Sequence, residues 1–229
     1  MQALRDAGAS VAFCSESETD ARQAGEELGT RTLGIACDVS DDQAQRRMLD
    51  ETLARFGKLD LLVCNAGITG RPGGIESLDL EDYDRVMQVN LRSMVVLARL
   101  SLPTMARAGG GCMALVSSIA GIRGNAAISS YALAKAGVAQ LARNIAVEWG
   151  PRNIRCNAIS PGLIATELSA PLRANPQFMA RRLQMTPLRR AGTVEEVAGA
   201  VVWLASAAGG FVTGQNIVID GGTVISDGN

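Results

Sequence analysis

Six short apolar runs alternate with longer amphipathic stretches along the chain, and this alternation limits the folds that the sequence can adopt. The runs are typical of buried β-strands, and they are SVAFC, TLGIAC, LDLLVC, CMALVS, IRCNAIS and NIVID. Between them lie helical patterns at residues 17–29, 41–56, 79–107, 128–150, 166–185 and 193–207. Alternating strands and helices build βαβ units. The pattern therefore predicts an α/β fold with a doubly wound parallel sheet covered on both faces, in three layers.

Length and turn signals favour a single domain over residues 1–229. A chain of 229 residues suits one α/β domain, and no repeat, linker or low-complexity segment divides it.

Asp79 is predicted to cap the helix that follows it. Pro103 lies within the 79–107 pattern and is predicted to kink or end that helix.

Charge and composition exclude several classes of function. The formal net charge is −1 and the pI is about 5.6, which argues against nucleic acid and acidic membrane surfaces as partners. No apolar run reaches the ~18 residues of a membrane span, and we see no signal peptide, so we expect a cytoplasmic protein without membrane contact. The chain has no histidine, which removes Ser-His-Asp and Cys-His mechanisms and most metal sites.

The five cysteines are scattered and form no CxxC pair. Each lies in or beside an apolar run, so we predict small buried side chains in a reducing compartment, with no disulfide and no metal. They are Cys14, Cys37, Cys64, Cys112 and Cys156.

Tyr131 and Lys135 form the most informative pair in the sequence. They are four residues apart, so a helix places them on one face. The chain has only two tyrosines and two lysines, so this spacing is uncommon by chance. An ammonium group beside a phenol is expected to lower the tyrosine pKa, which suits acid–base work near neutral pH. Ser118 ends the preceding strand, where its hydroxyl can hold a carbonyl oxygen. The alternative is a Tyr and a Lys on a solvated helix face.

The segment VSSIAGIRGNAAISSYALAKAG, residues 116–137, resembles the active-site segment of the short-chain dehydrogenases/reductases. The resemblance extends from DAGASVAFCSES to FVTGQNIVIDGG and is closest to the 3-oxoacyl-(acyl-carrier-protein) reductase-like branch. It implies a Rossmann-like fold and hydride transfer between NAD or NADP and a carbonyl or secondary alcohol. It also implies an acid/base role for Tyr131, substrate orientation by Ser118, ribose binding by Lys135, and a water held by Asn90.

Two further motifs resemble the family's adenosine side. CNAG resembles its NNAG motif, with Cys64 in place of the first Asn, and implies cofactor contacts from Asn65, Ala66 and Gly67, with Asn65 also bracing the sheet. CDVS resembles its Asp-Val pair and implies that Asp38 accepts the adenine amino group beside Val39. The alternatives are an ordinary turn for the first motif and a helix N-cap for Asp38.

The segment SPGLIAT resembles the family's PGxxxT loop at the nicotinamide end. The resemblance implies that the Ile164 backbone holds the carboxamide and that Thr166 lies near the phosphates. The alternative is a simple loop break. The cofactor residues implied here are Pro161, Gly162, Ile164 and Thr166.

The first residues resemble the end of a helix that the family places after its first strand and glycine-rich turn. Residues 1–7 match the tail of that helix, so the resemblance implies that the strand and the turn are absent from this sequence. The absent strand would lie between the strands at 10–14 and 60–64. Without the turn we expect cofactor affinity to fall by about 10²–10³-fold. A cofactor-impaired or non-enzymatic homologue that uses the fold for binding is the alternative.

Cofactor preference and partners stay open. Ser15 and Glu16 match neither the carboxylate typical of NAD binding nor the arginine typical of NADP binding. The family implies a homotetramer and a substrate lid at 163–187. Arginines in and after the lid are expected to meet an acidic carrier or a carrier-linked acyl group, or to form a solvated surface. They are Arg181, Arg182, Arg189 and Arg190.

Overall fold

The computed structural model describes residues 1–227, and every strand expected from the sequence is present. All pairings between them are parallel. The strands are β1 (Val11–Ser15), β2 (Thr32–Ala36), β3 (Leu61–Cys64), β4 (Gly111–Val116), β5 (Ile154–Pro161) and β6 (Asn216–Ile219).

Helices follow each strand except the last, and most begin at a side chain that accepts a backbone N–H. Asp79 caps its helix as expected, and Ser17, Asp41 and Thr193 do the same for theirs. The helices are α1 (Gln2–Asp6), α2 (Glu18–Leu28), α3 (Asp42–Phe56), α4 (Leu80–Met87), α5 (Ser93–Arg107), α6 (Ser129–Trp149), α7 (Ala170–Arg173), α8 (Pro176–Gln184) and α9 (Val194–Ala205).

The helical stretch predicted at 79–107 is interrupted, but not at Pro103. A single π-helical turn, Gln88–Arg92, separates α4 from α5, and α5 continues through Pro103 to Arg107. Of the two outcomes expected at Pro103, a kink or an end, the end of the helix is therefore wrong. A π turn inserts an extra residue into the helix and is frequent at functional sites, and this one carries Asn90.

The strands form two hydrogen-bonded groups, β1–β2 and β3–β4–β5–β6. β4 and β5 are the central pair of the larger group and are almost completely buried. Among residues 1–227, β1 and β3 each have one ladder partner. Within each group all strands run in one direction, so their carboxyl ends lie along a common edge.

Helices cover both faces of the larger sheet, which confirms the three layers. Successive residues of β4 point to opposite faces. Met113 packs with α5 and α6, whereas Cys112 packs with α9 and with Leu4 of α1. A largely aliphatic core thus lies on each side of the sheet.

The cysteines agree with their expected role as small apolar side chains. All five are free; four are buried, and Cys14 is partly buried. Within residues 1–227, no group of acidic, cysteine or histidine side chains is arranged to hold a metal ion. In the same part of the chain, no helix has both the length and the apolar composition of a membrane-spanning segment.

Candidate active site

The side chains singled out from the sequence lie in loops and helix starts at the carboxyl edge of the strands. Ser118 follows β4, Gly67 follows β3 and Asp38 follows β2. In open α/β sheets, ligands bind at this edge. The order of the strands thus assembles residues that are far apart in sequence.

Ser118 and Tyr131 lie close together across the loop that joins β4 to α6, since burial raises the Tyr131 pKa and an interaction of the Ser118 side chain with the phenol lowers it. The Ser118 backbone is extended, and its Oγ accepts the Ala120 N–H at 3.1 Å, which starts a short 3₁₀ turn. Tyr131 lies in the first turn of α6 and is partly buried. The fold therefore brings these two hydroxyl groups close together.

Lys135 lies one helical turn after Tyr131 and is only 2% exposed. Its Nζ donates to the Val116 carbonyl oxygen at 2.8 Å and lies 5.6 Å from the centre of the Tyr131 ring. Ser117 Oγ in turn donates to the Lys135 carbonyl oxygen at 2.6 Å, which ties α6 to the end of β4. The alternative of a solvated Tyr-Lys face is wrong, because the lysine is buried.

Burial, and not the lysine, dominates the pKa values at this pair. Loss of hydration raises the pKa of Tyr131, and the hydrogen bond with Ser118 opposes this by a smaller amount. Burial lowers the pKa of Lys135 to about 8. The expectation that Lys135 lowers the Tyr131 pKa is therefore wrong for this structure. Removing a phenol from water disfavours its charged form, and the sequence does not show how deeply the ring is buried.

Asn90 joins the π turn to the loop after β3. It is fully buried, its Oδ1 accepts the Ile68 N–H at 2.8 Å, and its Nδ2 donates to the Ile68 carbonyl oxygen at 2.7 Å. A Cβ placed on Gly67 would lie 3.1 Å from Asn90 Oδ1 and 3.4 Å from Lys135 Nζ. Asn90 and Lys135 therefore both lie close to Gly67, and the absence of a Cβ there leaves room for the two side chains.

Cys64 and Asn65 end β3 and differ in their surroundings. Cys64 is buried, and burial raises its thiol pKa to about 12, so the residue that replaces an asparagine of the family motif is a neutral apolar group. Asn65 and Ala66 are exposed. Among residues 1–227 the Asn65 side chain makes no hydrogen bond, so its expected role in bracing the sheet is not observed.

Asp38 is exposed at the end of β2. Its Oδ1 accepts both the N–H and the hydroxyl of Ser40, at 2.8 and 2.7 Å, and these hydrogen bonds lower its pKa. The N-cap alternative for Asp38 is wrong, because Asp41 caps α3. Two buried or partly buried glutamines hold the rest of this loop: Gln45 donates to the Val39 carbonyl oxygen and Gln88 to that of Ser40.

The Pro161–Thr166 loop crosses the end of β5. Gly162 N donates to the Ile219 carbonyl oxygen, and a Cβ at Gly162 would lie 2.7 Å from Asp220 Cα, so the close approach requires glycine. The Gly192 N–H donates to the Leu163 carbonyl oxygen, and the Gly192 carbonyl oxygen accepts the Ala165 N–H. Gly192 thus pairs with the residues on either side of Ile164. The Ile164 N–H therefore points away from Gly192.

The Thr166 hydroxyl and N–H both lie within hydrogen-bond distance of Ser169 Oγ. Ser169 Oγ also donates to the Ile164 carbonyl oxygen at 2.6 Å. The loop is thus closed on itself just before α7. This local network is a feature that the motif alone does not predict.

The cavities of the structure do not by themselves locate the candidate active site. A cavity of about 170 Å³ lies beside Arg71, Ser77 and Asp79 and is not lined by Ser118 or Tyr131. A cavity of about 100 Å³ touches the site only through Ile164. We place the candidate active site at Ser118 and Tyr131, because that is where a buried cation, a phenol and a serine converge.

Three residues that sequence reasoning missed support this site. Ser117 anchors the Lys135 backbone, and Gly121 lets the loop approach α6, since a Cβ there would lie 2.6 Å from Ala136 N. Asn125 donates to the Ala120 and Arg123 carbonyl oxygens and shapes the rest of the loop. The small and polar residues around Ser118 were the available signal, but such residues are common in ordinary loops.

Comparison with known proteins adds an independent observation. The model of a family described as enoyl-(acyl carrier protein) reductase matches residues 1–224. The chain is 38% identical over 221 residues to a cis-4-hydroxycyclohexanecarboxylate dehydrogenase of Sinomonas cyclohexanicum, an alignment that covers 96% of this chain and 88% of that protein.

Solved structures share the fold closely. A 7α-hydroxysteroid dehydrogenase complexed with NADH and 7-oxo glycochenodeoxycholic acid is 34% identical, with a TM-score of 0.89 over 94% of this chain and 85% of that one. A gluconate 5-dehydrogenase from Burkholderia cenocepacia J2315, in complex with NADP and tartrate, is 31% identical, with a TM-score of 0.91 over 98% of this chain and 89% of that one.

Proposed function

This chain belongs to the short-chain dehydrogenase/reductase family and is an oxidoreductase that uses NAD or NADP; we propose that it interconverts a carbonyl and a secondary alcohol with Tyr131 as the acid/base. The observation that carries this proposal is the position of Tyr131 between Ser118 and the buried Lys135, whose Nζ lies 5.6 Å from the centre of the Tyr131 ring. We further propose that residues 1–229 act as one dinucleotide-binding and catalytic domain.

The residues at the carboxyl edge fit a dinucleotide. Asp38, Asn65 and Ala66 are exposed there, and the Asp38 carboxylate suits an amino-group donor such as adenine. At the other end, the outward N–H of Ile164 suits a carboxamide oxygen, and the loop continues through Thr166. We propose these contacts as the cofactor site, together with Val39, Gly67, Pro161, Gly162, Tyr131 and Lys135.

NAD or NADP, when bound, would supply or accept the hydride at its nicotinamide ring. The protein's own side chains would then supply or accept the proton. The raised pKa keeps Tyr131 protonated at neutral pH, which suits it to donate a proton to a carbonyl oxygen during reduction. Ser118, which lies beside the same phenol, orients that oxygen.

Asn90 and Lys135 complete the proposed proton path. Lys135 has a pKa of about 8, so near neutral pH it exchanges a proton readily while it remains mostly charged. Asn90 Oδ1 lies on the same side of Gly67 as Lys135 Nζ and retains a second lone pair. We propose that this lone pair holds the water that links Lys135 to solvent.

Tyr131→Phe tests the acid/base role. We expect kcat to fall by about 10²–10⁴-fold, because phenylalanine keeps the ring and removes the transferable proton. The chain provides a matched control in Tyr83→Phe, since Tyr83 is the other tyrosine and lies on α4. The assay follows NADH and NADPH absorbance with 4-oxocyclohexanecarboxylate as the first substrate, chosen because a relative is a cis-4-hydroxycyclohexanecarboxylate dehydrogenase.

Calorimetric titration of NADH and NADPH into both variants separates binding from chemistry. We expect turnover to be lost in Tyr131→Phe, whereas its cofactor affinity falls by no more than about tenfold, because at most one of the proposed cofactor hydrogen bonds is removed. Full activity of Tyr131→Phe would show that another group moves the proton. The same titration decides between NAD and NADP and measures how tightly this chain binds either.

We also propose a homotetramer acting in the cytoplasm. Apolar side chains are exposed on α5 and α6, among them Val95, Leu133 and Val147, and burying them between subunits is favourable. The five free cysteines suit a reducing compartment. Mass photometry of the purified chain tests the assembly: a monomer at micromolar concentration would contradict it.

A further inference from the structure

The loop after β2, residues 37–41, is held by hydrogen bonds on two consecutive peptide groups. The peptide that joins Val39 to Ser40 donates its N–H to Asp38 Oδ1 at 2.8 Å, and its carbonyl oxygen accepts the side-chain amide of Gln45. The next carbonyl oxygen, that of Ser40, accepts Gln88 Nε2 at 2.9 Å. Both peptide groups beside Ser40 are therefore fixed in orientation.

The two glutamines that hold this loop come from different elements. Gln45 lies on α3 and is only 1% exposed, and Gln88 is the first residue of the π turn. Arg92 ends the same turn, and its two Nη atoms donate to the two carboxylate oxygens of Asp42, the first residue of α3, at 2.6 and 2.7 Å. The π turn thus contacts the loop at Ser40 and again just beyond its end.

Ser40 transmits this fixed orientation to the Asp38 carboxylate. Asp38 Oδ1 accepts both the N–H and the hydroxyl of Ser40, at 2.8 and 2.7 Å. Asp38 is exposed, and its Oδ2 makes no hydrogen bond within the described residues 1–227. A carboxylate oxygen can accept donors through its lone pairs. One oxygen is thus held by the loop, and the other is left for a donor from a ligand.

Fixing an exposed carboxylate in advance favours binding. A side chain that moves freely in water loses rotational freedom when it binds a ligand, and this loss opposes association. The two hydrogen bonds from Ser40 restrict the Asp38 side chain before any ligand arrives. Gln45 and Gln88 restrict the main chain that supplies those bonds.

We infer that Ser40, Gln45 and Gln88 are positioning residues that hold the Asp38 carboxylate for the amino group of the cofactor's adenine. This inference rests on the proposed function, in which Asp38 accepts that amino group. None of the three residues has to touch the cofactor, because Ser40 acts through the carboxylate and the glutamines act through the loop. Their substitution should therefore weaken recognition of the amino group in particular, and not only binding in general.

The test compares NADH with its hypoxanthine analogue, in which a carbonyl group replaces the adenine amino group. Each is titrated calorimetrically into the full chain, and the quantity compared is the ratio of the two dissociation constants. If NADPH binds more tightly than NADH, NADPH and its hypoxanthine analogue are used. We expect wild type to bind the adenine form about 10- to 100-fold more tightly, as for one charge-assisted hydrogen bond. Asp38→Ala should bring the ratio close to one.

Ser40→Ala and Gln88→Met each remove one support of the carboxylate. Alanine removes the hydroxyl donor, and methionine keeps the length of the side chain without its amide. We expect the preference for adenine to fall by at least about threefold in each variant. Gln140→Met is the matched control, because Gln140 is exposed on α6 and donates to Asn144. Urea unfolding checks that each variant is folded, and the two variants lie on different elements, so either can decide the question.

The outcomes separate this inference from the proposed function. A reduced preference for adenine in Ser40→Ala and Gln88→Met, but not in Gln140→Met, supports the inference. A preference that is lost in Asp38→Ala and unchanged in Ser40→Ala and Gln88→Met overturns the inference and leaves the proposed adenine contact standing. Equal weakening of both dinucleotides in Gln88→Met also overturns it, because that residue would then support only the fold. A ratio near one in wild type, or no binding of either dinucleotide, overturns the adenine contact and this inference together.

Discussion

Asn90→Ala tests whether the π turn is held to the loop after β3 by one buried amide. The substitution removes two hydrogen bonds to the Ile68 main chain, of 2.8 and 2.7 Å. Each lost bond costs about 1 kcal/mol, and a buried group left without a partner costs about 1–3 kcal/mol. Ile68 is partly exposed, so water can replace part of the loss. We therefore expect the free energy of unfolding to fall by about 2–3 kcal/mol.

Urea unfolding followed by far-UV circular dichroism measures this change. For a chain of this length the expected loss corresponds to a fall in Tm of about 4–12 °C. Protein concentration must be equal for all variants, because assembly adds to apparent stability. Asn144→Ala is the control: Asn144 is exposed and accepts one hydrogen bond from Gln140, so its effect should stay within about 0.5 kcal/mol. If Asn90→Ala is as stable as this control, the Asn90 bonds do not hold the turn.

Two further predictions concern pH and helix capping. Burial lowers the pKa of Lys135 to about 8, so between that value and the ordinary 10.5 the unfolded state binds more protons than the folded state. This group therefore makes the protein more stable as pH rises through that window. Urea titrations at pH 7.5, 9 and 10 should show that the free energy of unfolding of wild type rises with pH relative to that of Lys135→Met. If the two proteins change in parallel with pH, Lys135 is not buried as a cation. Thr193→Ala breaks the capping box with Glu196, and thermal unfolding should show a loss of about 1 kcal/mol, whereas an unchanged Tm would mean that α9 does not depend on its cap.

Local patterns were reliable where the element depends on its own residues. The strand predicted at IRCNAIS is β5 (Ile154–Pro161), and the helix predicted at 128–150 is α6 (Ser129–Trp149). Apolar runs of strand length and long helical patterns form these elements in almost any α/β context. Asp79 was likewise predictable as a cap, because its side chain bonds the backbone two and three residues on.

The interruption of the 79–107 stretch was not predictable. Pro103 was the obvious candidate, yet α5 continues through it, and the break occurs at the π turn that contains Asn90. The reason is tertiary: the Asn90 side chain bonds Ile68, which is 22 residues earlier in the chain. The helix propensities of the residues around Asn90 give no information about that contact.

In the candidate site, too, some features were predictable from the sequence and others depended on the tertiary structure. Residue types and spacing identified Ser118, Tyr131 and Lys135, because a helix places residues four apart on one face and a strand end presents its last side chains at the ligand-binding edge. The sign of the Tyr131 pKa shift was wrong, because it depends on how much water the fold removes from the ring.

The sequence by itself determined the parallel α/β architecture, the order of its elements and the choice of candidate catalytic hydroxyl groups. These follow from periodicity and residue type, which act over a few residues. Only the tertiary structure decided which side chains are buried, which charges lack partners and where the long helix breaks. Those properties depend on contacts between distant segments, and such contacts set the local dielectric and the available hydrogen-bond partners.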